Sequence, residues 1–583
     1  MMKELYRTHL IKDIDDSLIG KTITVSGWVE NIRDHGGVLF VDLRDSTAKL
    51  QVVSNDDGLF IGLAKESVVK FTGKIRERSI DTINNNLLTG KLELLVDKME
   101  VLSSSLHELP FQIIESKKTK EDTRLKYRYL DLRNEKVMSN LKLRSEVLHF
   151  LRNKMHDLGF MEVQTPILTA SSPEGARDFV VPSRAFKGKF YALPQAPQIY
   201  KELLMVAGVD KYFQIAPCFR DEDSRRDRTL EFYQLDIEMS FVSEDDVLKL
   251  GEDIFYDVFT KFSKKEVSSK PFRQITYKES MDKYGTDKPD LRNPLIIHDA
   301  SEILKETTFG PFKKSTIKVI VVPGIGSKSN SWFNEVVDYA SSIGMPGIGY
   351  LTLSSDGTFK GPIDKFLSDE ERTSLVKEYD MKEDSVIFFI ANRSKTLATK
   401  QAGLIRDELG RKLDLIDKNK LELCIVKDFP MFEYDEEKGK LDFCHNPFSL
   451  PHGGINDYLT KDPLDILAYQ YDFVCNGNEM ASGAIRNHDV ESLIKGFEIV
   501  GYTRSEVEEK FKSIITAFKY GCPPHGGMAP GIDRILMLIQ DEENLREVQA
   551  FPTSASGADM MMGSPSKLTF DQLKELGIKV EEE

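Results

Sequence analysis

Several features that mark common kinds of protein are missing from this chain of 583 residues. It has no run of about 18 apolar residues, so no membrane-spanning helix is expected. The opening sequence, MMKELYRTHL, lacks the apolar core of a secretion signal. The five cysteines are scattered without a Cys-x-x-Cys pair, which argues against structural zinc and favours free thiols in a reducing compartment. These absences predict a cytoplasmic protein without a membrane partner.

The glycine-rich loops that usually hold nucleotide phosphates are also missing. The Gly-Lys-Thr at 20–22 has Asp15 where a phosphate-binding loop needs glycine, and a strand is predicted after it instead of a helix. No GxGxxG follows a predicted strand. Any ATP site in this chain would therefore use arginine side chains for the phosphates and carboxylates for magnesium.

The net charge of −15 does not favour a polyanionic partner, although a local basic patch can still bind one. One basic cluster lies in a polar segment and consists of Lys117, Lys118, Lys120, Arg124, Lys126, Arg128 and Arg133. On charge alone, a solvated linker explains this cluster better than an RNA-binding surface.

Short strands dominate the first part of the chain. Alternating or apolar runs at 22–29, 38–43, 50–53 and 67–73 predict a small barrel such as an OB-fold. A helix is predicted from about 136 to 158, where apolar residues recur at helical spacing up to Gly159.

A separate unit interrupts the rest of the chain. Residues 284–420 have their own helical segments and two apolar strand-like runs, at 317–322 and 385–390. Strand-rich and glycine-rich sequence follows, and the tail after 564 is short.

The segment YDFVCNGNEM predicts a hairpin with acidic side chains. A two-residue turn at Asn476–Gly477 would pair Val474 with Glu479. Strand alternation then puts Asp472 on the face of Val474, diagonal to Glu479, where the two carboxylates could share Mg²⁺. The alternative is a pair of edge-strand acids that face solvent.

Two further segments resemble motifs of class II aminoacyl-tRNA synthetases. CFRDED at 218–223 is similar to motif 2, and GIDR at 531–534 is similar to motif 3. Taken singly, the first is explained as a surface charge cluster and the second as a capped core helix. Together, the resemblance implies that ATP activates a carboxylate, which is then transferred to tRNA.

The resemblance extends to the aspartyl-tRNA synthetases of the bacterial type over nearly the whole chain. It rests on SPEGARDF (172–179), FYALPQAPQIYK (190–201), GTDKPDLRN (285–293) and FPMFE (429–433). The implied α+β fold has an N-terminal OB-fold β-barrel and a class II antiparallel-sheet catalytic domain with an inserted α/β domain. The implied segments are an anticodon-binding domain at 1–105, a linker at 106–140, catalytic parts at 141–283 and 421–563, an insertion at 284–420 and an extension at 564–583.

For ATP, the resemblance implies Arg220, Glu222 and Arg534 as catalytic residues. Arg220 would bind the α-phosphate, and Phe232 would stack on the base. The full implied ATP set is Arg220, Asp221, Glu222, Thr229, Phe232, Glu479, Gly531, Ile532, Asp533 and Arg534. Thr229 departs from the family, which often has a glutamine there. Asp472 and Glu479 are the implied Mg²⁺ ligands.

For the amino acid, the resemblance implies a cationic pocket for L-aspartate. Glu174 would accept from the ammonium, and Arg486 and Lys201 would hold the side-chain carboxylate. The neutral amide of asparagine would leave these cations under-compensated. The full implied set is Glu174, Gln198, Lys201, Arg220, Asp236, His445 and Arg486.

For tRNA, the resemblance implies that Phe40, Gln51 and Glu93 read anticodon bases by stacking and hydrogen bonding. His35 is similar to the relaxed type of enzyme that also charges tRNA-Asn, and Asp81 stands where some strict enzymes have lysine. The segment GFMEVQTP (159–166) is similar to motif 1, which implies a homodimer with Pro166 near its two-fold axis.

The sequence therefore predicts an ATP- and Mg²⁺-dependent aspartate–tRNA ligase acting on tRNA-Asp, with aspartylation of tRNA-Asn as the alternative. An asparaginyl enzyme, a non-catalytic tRNA-binding paralogue and an ATP-dependent amide-forming ligase are further alternatives. The charged residues of the implied site argue against the first two, and the N-terminal barrel argues against the third.

Overall fold

The computed structural model describes residues 5–35, 38–56, 58–171, 176–436 and 438–581, without the side chains of His35 and Val38. The chain folds as two compact units, Met1–Thr119 and Lys120–Glu583. Along the described chain, short 3-10 turns lie at Ile11–Asp13, Asp16–Leu18, Ile80–Thr82, Ile113–Lys118, Gly310–Phe312, Asp364–Phe366, Pro463–Asp465 and Leu545–Val548. None of the described helices has the length and apolar character needed to cross a membrane.

The first unit is a closed five-stranded barrel, which confirms the predicted OB-fold. Its strands are β1 (Thr22–His35), β2 (Val38–Arg44), β3 (Lys49–Val53), β4 (Val68–Glu77) and β5 (Leu92–Ser103), in the order β1-β2-β3-β5-β4. Alternate residues of the strands, among them Val25, Val41 and Phe71, fill the barrel. Strand β5 was not predicted individually, and charged residues occupy its exposed second half.

The second unit begins with a helical segment and half of a large sheet. Its helices up to residue 284 are α1 (Glu121–Lys126), α2 (Arg128–Asp131), α3 (Glu135–Asp157), α4 (Gln198–Val206), α5 (Glu244–Phe262) and α6 (Tyr277–Tyr284). Its strands are β6 (Met161–Glu162), β7 (Val180–Pro182), β8 (Phe190–Ala192), β9 (Lys211–Phe219), β10 (Glu231–Ser240), β11 (Glu266–Val267) and β12 (Arg273–Thr276). Helix α3 ends before Gly159, close to the predicted position.

A five-stranded antiparallel sheet follows, in the order β13-β14-β17-β15-β16. Its elements are β13 (Ile297–Asp299), β14 (Thr316–Val322), α7 (Asn330–Ser342), β15 (Gly349–Leu353), β16 (Phe359–Lys360), α8 (Asp369–Glu378), β17 (Ser385–Asn392) and α9 (Lys395–Lys412). Strand β17 is apolar from Val386 to Ala391 because its two faces contact different clusters, with Phe388 in one and Phe389 in the other. The strand-like runs predicted at 317–322 and 385–390 are strands β14 and β17.

The rest of the unit completes the large sheet. Its strands are β18 (Lys420–Leu421), β19 (Leu423–Pro430), β20 (Phe432–Asp435), β21 (Lys440–Phe443), β22 (Leu467–Cys475), β23 (Asn478–Ile485) and β24 (His525–Pro530). Its helices are α10 (Ile455–Thr460), α11 (Val490–Ile499), α12 (Arg504–Lys510), α13 (Lys512–Phe518), α14 (Ile532–Gln540) and α15 (Phe570–Leu576). The eight-stranded order is β12-β19-β22-β23-β24-β10-β9-β6, and the pairs are antiparallel except at its two ends.

One face of the eight-stranded sheet is apolar, and the opposite face carries charge. Leu235 and Ile237 of β10 and Tyr471 and Phe473 of β22 pack with helices α3, α5 and α14 in the core. Because side chains alternate along a strand, the residues between them, such as Asp236, point the other way. The strand pattern thereby collects buried acids on the face that forms the site.

The segment predicted as a polar linker, 106–140, is largely helical and belongs in part to each unit. Arg124 and Arg128, assigned to a solvated basic cluster, are buried instead. Arg124 pairs with Asp131 at 3.0 Å and with Glu547 at 2.8 Å, and Arg128 also pairs with Asp131. The pairing of Arg124 with Glu547 could not be predicted from the local sequence, because Glu547 lies 423 positions away.

Candidate active site

A cavity of about 400 Å³ opens on the charged face of the eight-stranded sheet. The predicted site residues in its described lining are Gln198, Lys201, Arg220, Glu222, Thr229, Phe232, Asp236, His445, Glu479, Arg486, Gly531, Asp533 and Arg534. That lining does not include Asp221, Ile532 or Asp472. Glu174, the remaining residue predicted for the aspartate and ATP sites, lies outside the residues that the structure describes.

The floor of the cavity is a buried network of opposite charges. Lys201 is the fourth residue of α4. Its Nζ lies 2.8 Å from Asp236 Oδ1 and 3.3 Å from Glu238 Oε2. Arg486, which follows β23, donates from Nε and Nη2 to the two Glu238 oxygens at 2.9 and 3.1 Å. Such a fork orients the guanidinium, whose Nη1 takes no part in the pair.

The network favours the charged forms of Arg486, Lys201 and Glu238 in spite of burial. Burial alone would lower the pKa of Arg486 and of Lys201, but the neighbouring carboxylates raise both. Burial would raise the pKa of Glu238, but Arg486 and Lys201 lower it. The pKa of Asp236 stays above its ordinary value because burial outweighs Lys201. The floor is therefore a set of fixed charges suited to a zwitterionic or acidic ligand.

A second buried set of hydrogen bonds orients the side-chain amide of Gln198 at the cavity wall. Gln198 Nε2 donates to Glu202 Oε1 at 2.5 Å, and His525 Nε2 lies 3.3 Å from Glu202 Oε2. His525 Nδ1 lies 2.8 Å from the carbonyl oxygen of Pro523. Because both ring nitrogens face acceptors, the imidazole is doubly protonated. Since the Gln198 amide nitrogen is used by Glu202, its oxygen is left to accept.

The stability of the protein is expected to fall at alkaline pH because of His525. Burial opposes the charge, but Cys522 and Glu202 raise the pKa of His525 from 6.5 to about 10. A raised pKa contributes stability that is complete below pH 6.5 and disappears as pH rises through about 10. Urea unfolding between pH 6.5 and 10 should show this loss, and His525→Gln should flatten it. A titration midpoint of His525 near 6.5 by NMR would contradict the assignment.

The nucleotide side of the cavity is built by β9, β10 and α14. Arg220 follows β9, and its guanidinium lies 5.0 Å from the centre of the Phe232 ring on β10. Glu222 pairs with Arg228 at 2.7 Å. Arg534 donates to the backbone oxygen of Glu479 at 2.8 Å. Two guanidinium groups and an aromatic face therefore share one wall of the cavity.

The predicted acidic hairpin forms as expected. Val474 pairs with Glu479, and Asn476 and Gly477 have positive φ values of 51° and 78°. A bulge follows, because Phe473 pairs with Ala481 instead of Met480. Such a turn needs positive φ at both central residues, which Asn-Gly supplies.

Both hairpin carboxylates meet a lysine that sequence reasoning did not single out. Lys288 Nζ lies 3.4 Å from Asp472 Oδ2 and 3.3 Å from Glu479 Oε2. His445 Nε2 is 3.6 Å from the same Asp472 oxygen. Burial would raise the pKa of Asp472, but His445 and Lys288 lower it, so the carboxylate is ionised. The carboxylates of Asp472 and Glu479 thus converge on one cation.

Three of the predicted ATP residues are held by the protein itself. The carboxylate of Asp533 pairs with Arg144 and accepts from the backbone N–H of Tyr233 at 3.3 Å. Thr229 is buried and donates to the backbone oxygen of Glu231 at 2.8 Å. Ile532 packs in the apolar core. Any contact of Ile532 with a nucleotide would have to come from its backbone.

The barrel unit has its own cavity of about 670 Å³. Phe40, Gln51 and Asp81 are in its lining. Gln51 on β3 donates to Glu93 on β5 at 2.7 Å, and Arg76 donates to the other Glu93 oxygen at 2.8 Å. The side chain of His35 lies outside the described part of the structure.

Four residues of the charged site were missed from sequence: Glu202, Glu238, Lys288 and His525. Glu238 could have been predicted from strand alternation, since it lies two positions after Asp236 and therefore on the same face of the strand. Glu202 also has a local signal, since it lies four positions after Gln198 on α4. Lys288 and His525 had none, because their site partners are distant in the chain, 323 positions for His525 and Glu202.

Comparisons with known proteins agree with this geometry. Residues 120–555 match the family model of tRNA synthetases class II (D, K and N), and residues 23–102 match the OB-fold nucleic acid binding domain. The chain is 48% identical to the aspartate–tRNA(Asp/Asn) ligase of a Wolbachia sp. from Drosophila simulans, over 99% of each chain. It is 49% identical to the ligase of the same name from Anaplasma phagocytophilum, over 98% of this chain and 97% of that one.

The fold is also similar to solved structures. One is asparaginyl-tRNA synthetase from Pyrococcus horikoshii complexed with asparaginyl-adenylate, with a TM-score of 0.57 and 18% identity over 95% of this chain and 98% of that chain. An antiparallel sheet with arginines at a cavity, in a chain that also contains an OB barrel, is the arrangement of class II aminoacyl-tRNA synthetases. The chain belongs to the class II tRNA synthetase family for D, K and N, and within it to the aspartate–tRNA ligases.

Proposed function

We propose that this chain activates L-aspartate with ATP to aspartyl-adenylate and transfers the aspartate to the 3′ end of tRNA-Asp. The observation that carries the proposal is the cavity floor, where the Arg486 fork on Glu238 lies beside Lys201. Arg486 and Lys201 can only donate hydrogen bonds, so both oxygens of a ligand carboxylate could accept from them, whereas the NH2 group of an amide ligand would face donors and could not accept.

The substrate ammonium would be held by acceptors on the same floor. Asp236 Oδ2 is buried and is not the oxygen that pairs with Lys201, and its neighbour is the Tyr212 hydroxyl. The Gln198 amide oxygen is left to accept because its nitrogen donates to Glu202. A buried carboxylate oxygen that no cation contacts costs free energy, and a bound ammonium would relieve that cost. We assign Glu174 to the same task from the family resemblance.

Adenylate formation would need no protein nucleophile. The α-carboxylate of aspartate attacks the α-phosphorus of ATP, the bond to the pyrophosphate oxygen breaks, and pyrophosphate leaves. Arg220 would stabilise the charge that develops on the α-phosphate, and Phe232 would stack on the adenine. Glu222 would accept from the adenine amino group, and Arg534 would bind on the other side of the nucleotide. Catalysis is then positioning and electrostatics.

Magnesium fits the hairpin carboxylates. Asp472 Oδ2 is a buried carboxylate oxygen that Lys288 and His445 contact, and Glu479 lies across the same lysine. Two carboxylates with remaining positions for phosphate oxygens and water suit Mg²⁺. Among the described residues no group of three or more His, Cys, Asp and Glu side chains could hold a metal by themselves. We therefore assign Asp472 and Glu479 as ligands of a Mg²⁺ that arrives with the nucleotide, where it would neutralise phosphate charge.

We propose further that residues 1–105 bind the anticodon and that Phe40, Gln51, Asp81 and Glu93 face its bases. The catalytic parts would be 141–283 and 421–563, separated by the insertion at 284–420 and followed by the extension at 564–583.

A homodimer through motif 1 is supported by the exposed apolar residues Met161, Ile167 and Leu168 at the β6 end of the sheet. A cytoplasmic location fits free cysteines at all five positions.

Charging assays with purified tRNAs test the function. We expect labelled aspartate to be attached to tRNA-Asp in the presence of ATP and Mg²⁺. The second candidate function is aspartylation of tRNA-Asn as well, which is favoured by His35 and by the names of the relatives, aspartate–tRNA(Asp/Asn) ligases. It predicts that both tRNAs are charged.

Phe40→Ala is the matched variant for this assay. Loss of one base stack should weaken tRNA binding by about 1–3 kcal/mol while leaving ATP–pyrophosphate exchange unchanged. Failure to charge either tRNA would overturn the proposed function. An equal loss of exchange and charging in Phe40→Ala would refute the role of the barrel alone.

A further inference from the structure

Lys288 stands in an unusual place for a lysine near a metal site. Its Nζ lies 3.4 Å from Asp472 and 3.3 Å from Glu479, which are the carboxylates assigned to Mg²⁺ above. Asp287 is a third acidic neighbour of the same ammonium. The Lys288 side chain is only 26% exposed, so solvent screens these pairs weakly. The carboxylate pair thus already has a cation of the chain between its two members, while His445 lies 3.6 Å from Asp472 and Arg534 lies 3.5 Å from Glu479.

The segment 285–295, which carries Lys288, is attached to helix α9 by hydrogen bonds. Both lie in the insertion at 284–420. Arg406 of α9 is fully buried and donates to the backbone oxygens of Asp290, Asn293 and Leu295 at 2.9, 2.7 and 2.6 Å. Asn293 Nδ2 returns a hydrogen bond to the Arg406 oxygen at 2.9 Å. With three backbone acceptors used by one guanidinium, the segment is fixed on a rigid element.

Close backbone packing adds to this attachment. Gly285, at φ 72°, begins the segment, and a Cβ there would lie 2.5 Å from the backbone nitrogen of Gly403 on α9. A Cβ on Gly403 would in turn lie 2.8 Å from the Gly285 oxygen. Neither position has room for a side chain. Helix α9 therefore fixes the position at which the segment starts. This position limits where the Lys288 ammonium can lie.

We propose that Lys288 is a resident counter-ion that excludes free divalent cations from Asp472 and Glu479, so that metal binds there only together with a nucleotide. This inference rests on the proposed Mg²⁺ site. A divalent ion entering alone meets a positive charge at a few ångströms and has to displace it. Nucleotide phosphates add negative charge of their own, which compensates both cations at once. The insertion at 284–420 would thereby control metal binding at the active site through one lysine.

Manganese binding to the nucleotide-free protein tests the proposal. Mn²⁺ accepts the same oxygen ligands as Mg²⁺ and is detected by EPR. Wild-type protein should bind Mn²⁺ weakly at this site, and Lys288→Met should bind it at least about tenfold more tightly, since the like charge is gone. Lys288→Gln is the second variant and should act in the same direction. Lys278→Met, which removes an exposed lysine paired with Asp282 on α6, is the matched control and should change nothing.

Two double variants test whether the tighter Mn²⁺ binding of Lys288→Met depends on Asp472 and Glu479. Asp472→Asn and Glu479→Gln, each combined with Lys288→Met, should abolish the added Mn²⁺ binding. Unchanged or weaker binding in both folded Lys288 variants would overturn the counter-ion role. If wild-type protein with a non-hydrolysable ATP analogue binds no Mn²⁺ that depends on Asp472, the proposed metal site itself fails. If it does bind such Mn²⁺ and the Lys288 variants do not differ, only the role of Lys288 fails.

Discussion

Replacement of Arg220 by methionine is expected to slow aspartate-dependent ATP–pyrophosphate exchange by about 10³-fold while the protein stays folded. Methionine keeps much of the apolar contact with Phe232 but removes the guanidinium, which lies 5.0 Å from that ring. The guanidinium is the group assigned to the α-phosphate, where charge increases in the transition state. The loss should therefore appear in kcat more than in the KM for ATP.

Two further variants make the interpretation of Arg220 specific. Arg220→Lys keeps the charge but loses the planar fork, so its activity should lie between wild type and Arg220→Met. Arg184→Met removes an arginine that is 77% exposed and should leave exchange unchanged. Thermal unfolding of the three variants shows whether the fold persists. Exchange within tenfold of wild type in folded Arg220→Met would refute the assigned role.

The elements could be predicted where the pattern is local. The Asn476–Gly477 turn and the pairing of Val474 with Glu479 follow from two residues and strand alternation, and the structure confirms both. The end of α3 before Gly159 and four of the five barrel strands, β1 to β4, were predicted in the same way. Local backbone preferences decide such features, so the neighbours in sequence are enough.

The site could be predicted only in part, because its charges are paired across the fold. Glu238 holds Arg486 from 248 positions away, and the Lys288 pair depends on a hairpin nearly two hundred positions later. Arg124 shows the opposite error, since its charge predicted exposure and its partners bury it. The residue type shows that a buried charge needs a partner, but only the fold shows which one. The roles assigned to the individual site residues remain predictions.

Replacement of Arg486 by methionine is expected to have two separable effects. Activation of aspartate should fall by about 10³-fold or more, because the cavity floor loses the cation assigned to the substrate carboxylate. The free energy of unfolding should fall by about 3–5 kcal/mol, because Glu238 keeps a buried charge with only Lys201 at 3.3 Å. Pyrophosphate exchange with aspartate and with asparagine, together with urea unfolding, measures both effects.

A second substitution separates recognition from stability. Glu238→Gln removes the buried charge that Arg486 balances, so the double variant should regain most of the lost stability without regaining the response to aspartate. Arg124→Met is the matched control, since it breaks another buried pair, with Glu547 at 2.8 Å, and should lower stability without changing the KM for aspartate. Recovery of aspartate activation in the double variant would mean that Arg486 serves only to balance Glu238. The substrate carboxylate would then have to be held by Lys201 alone, and the preference over asparagine would need another source.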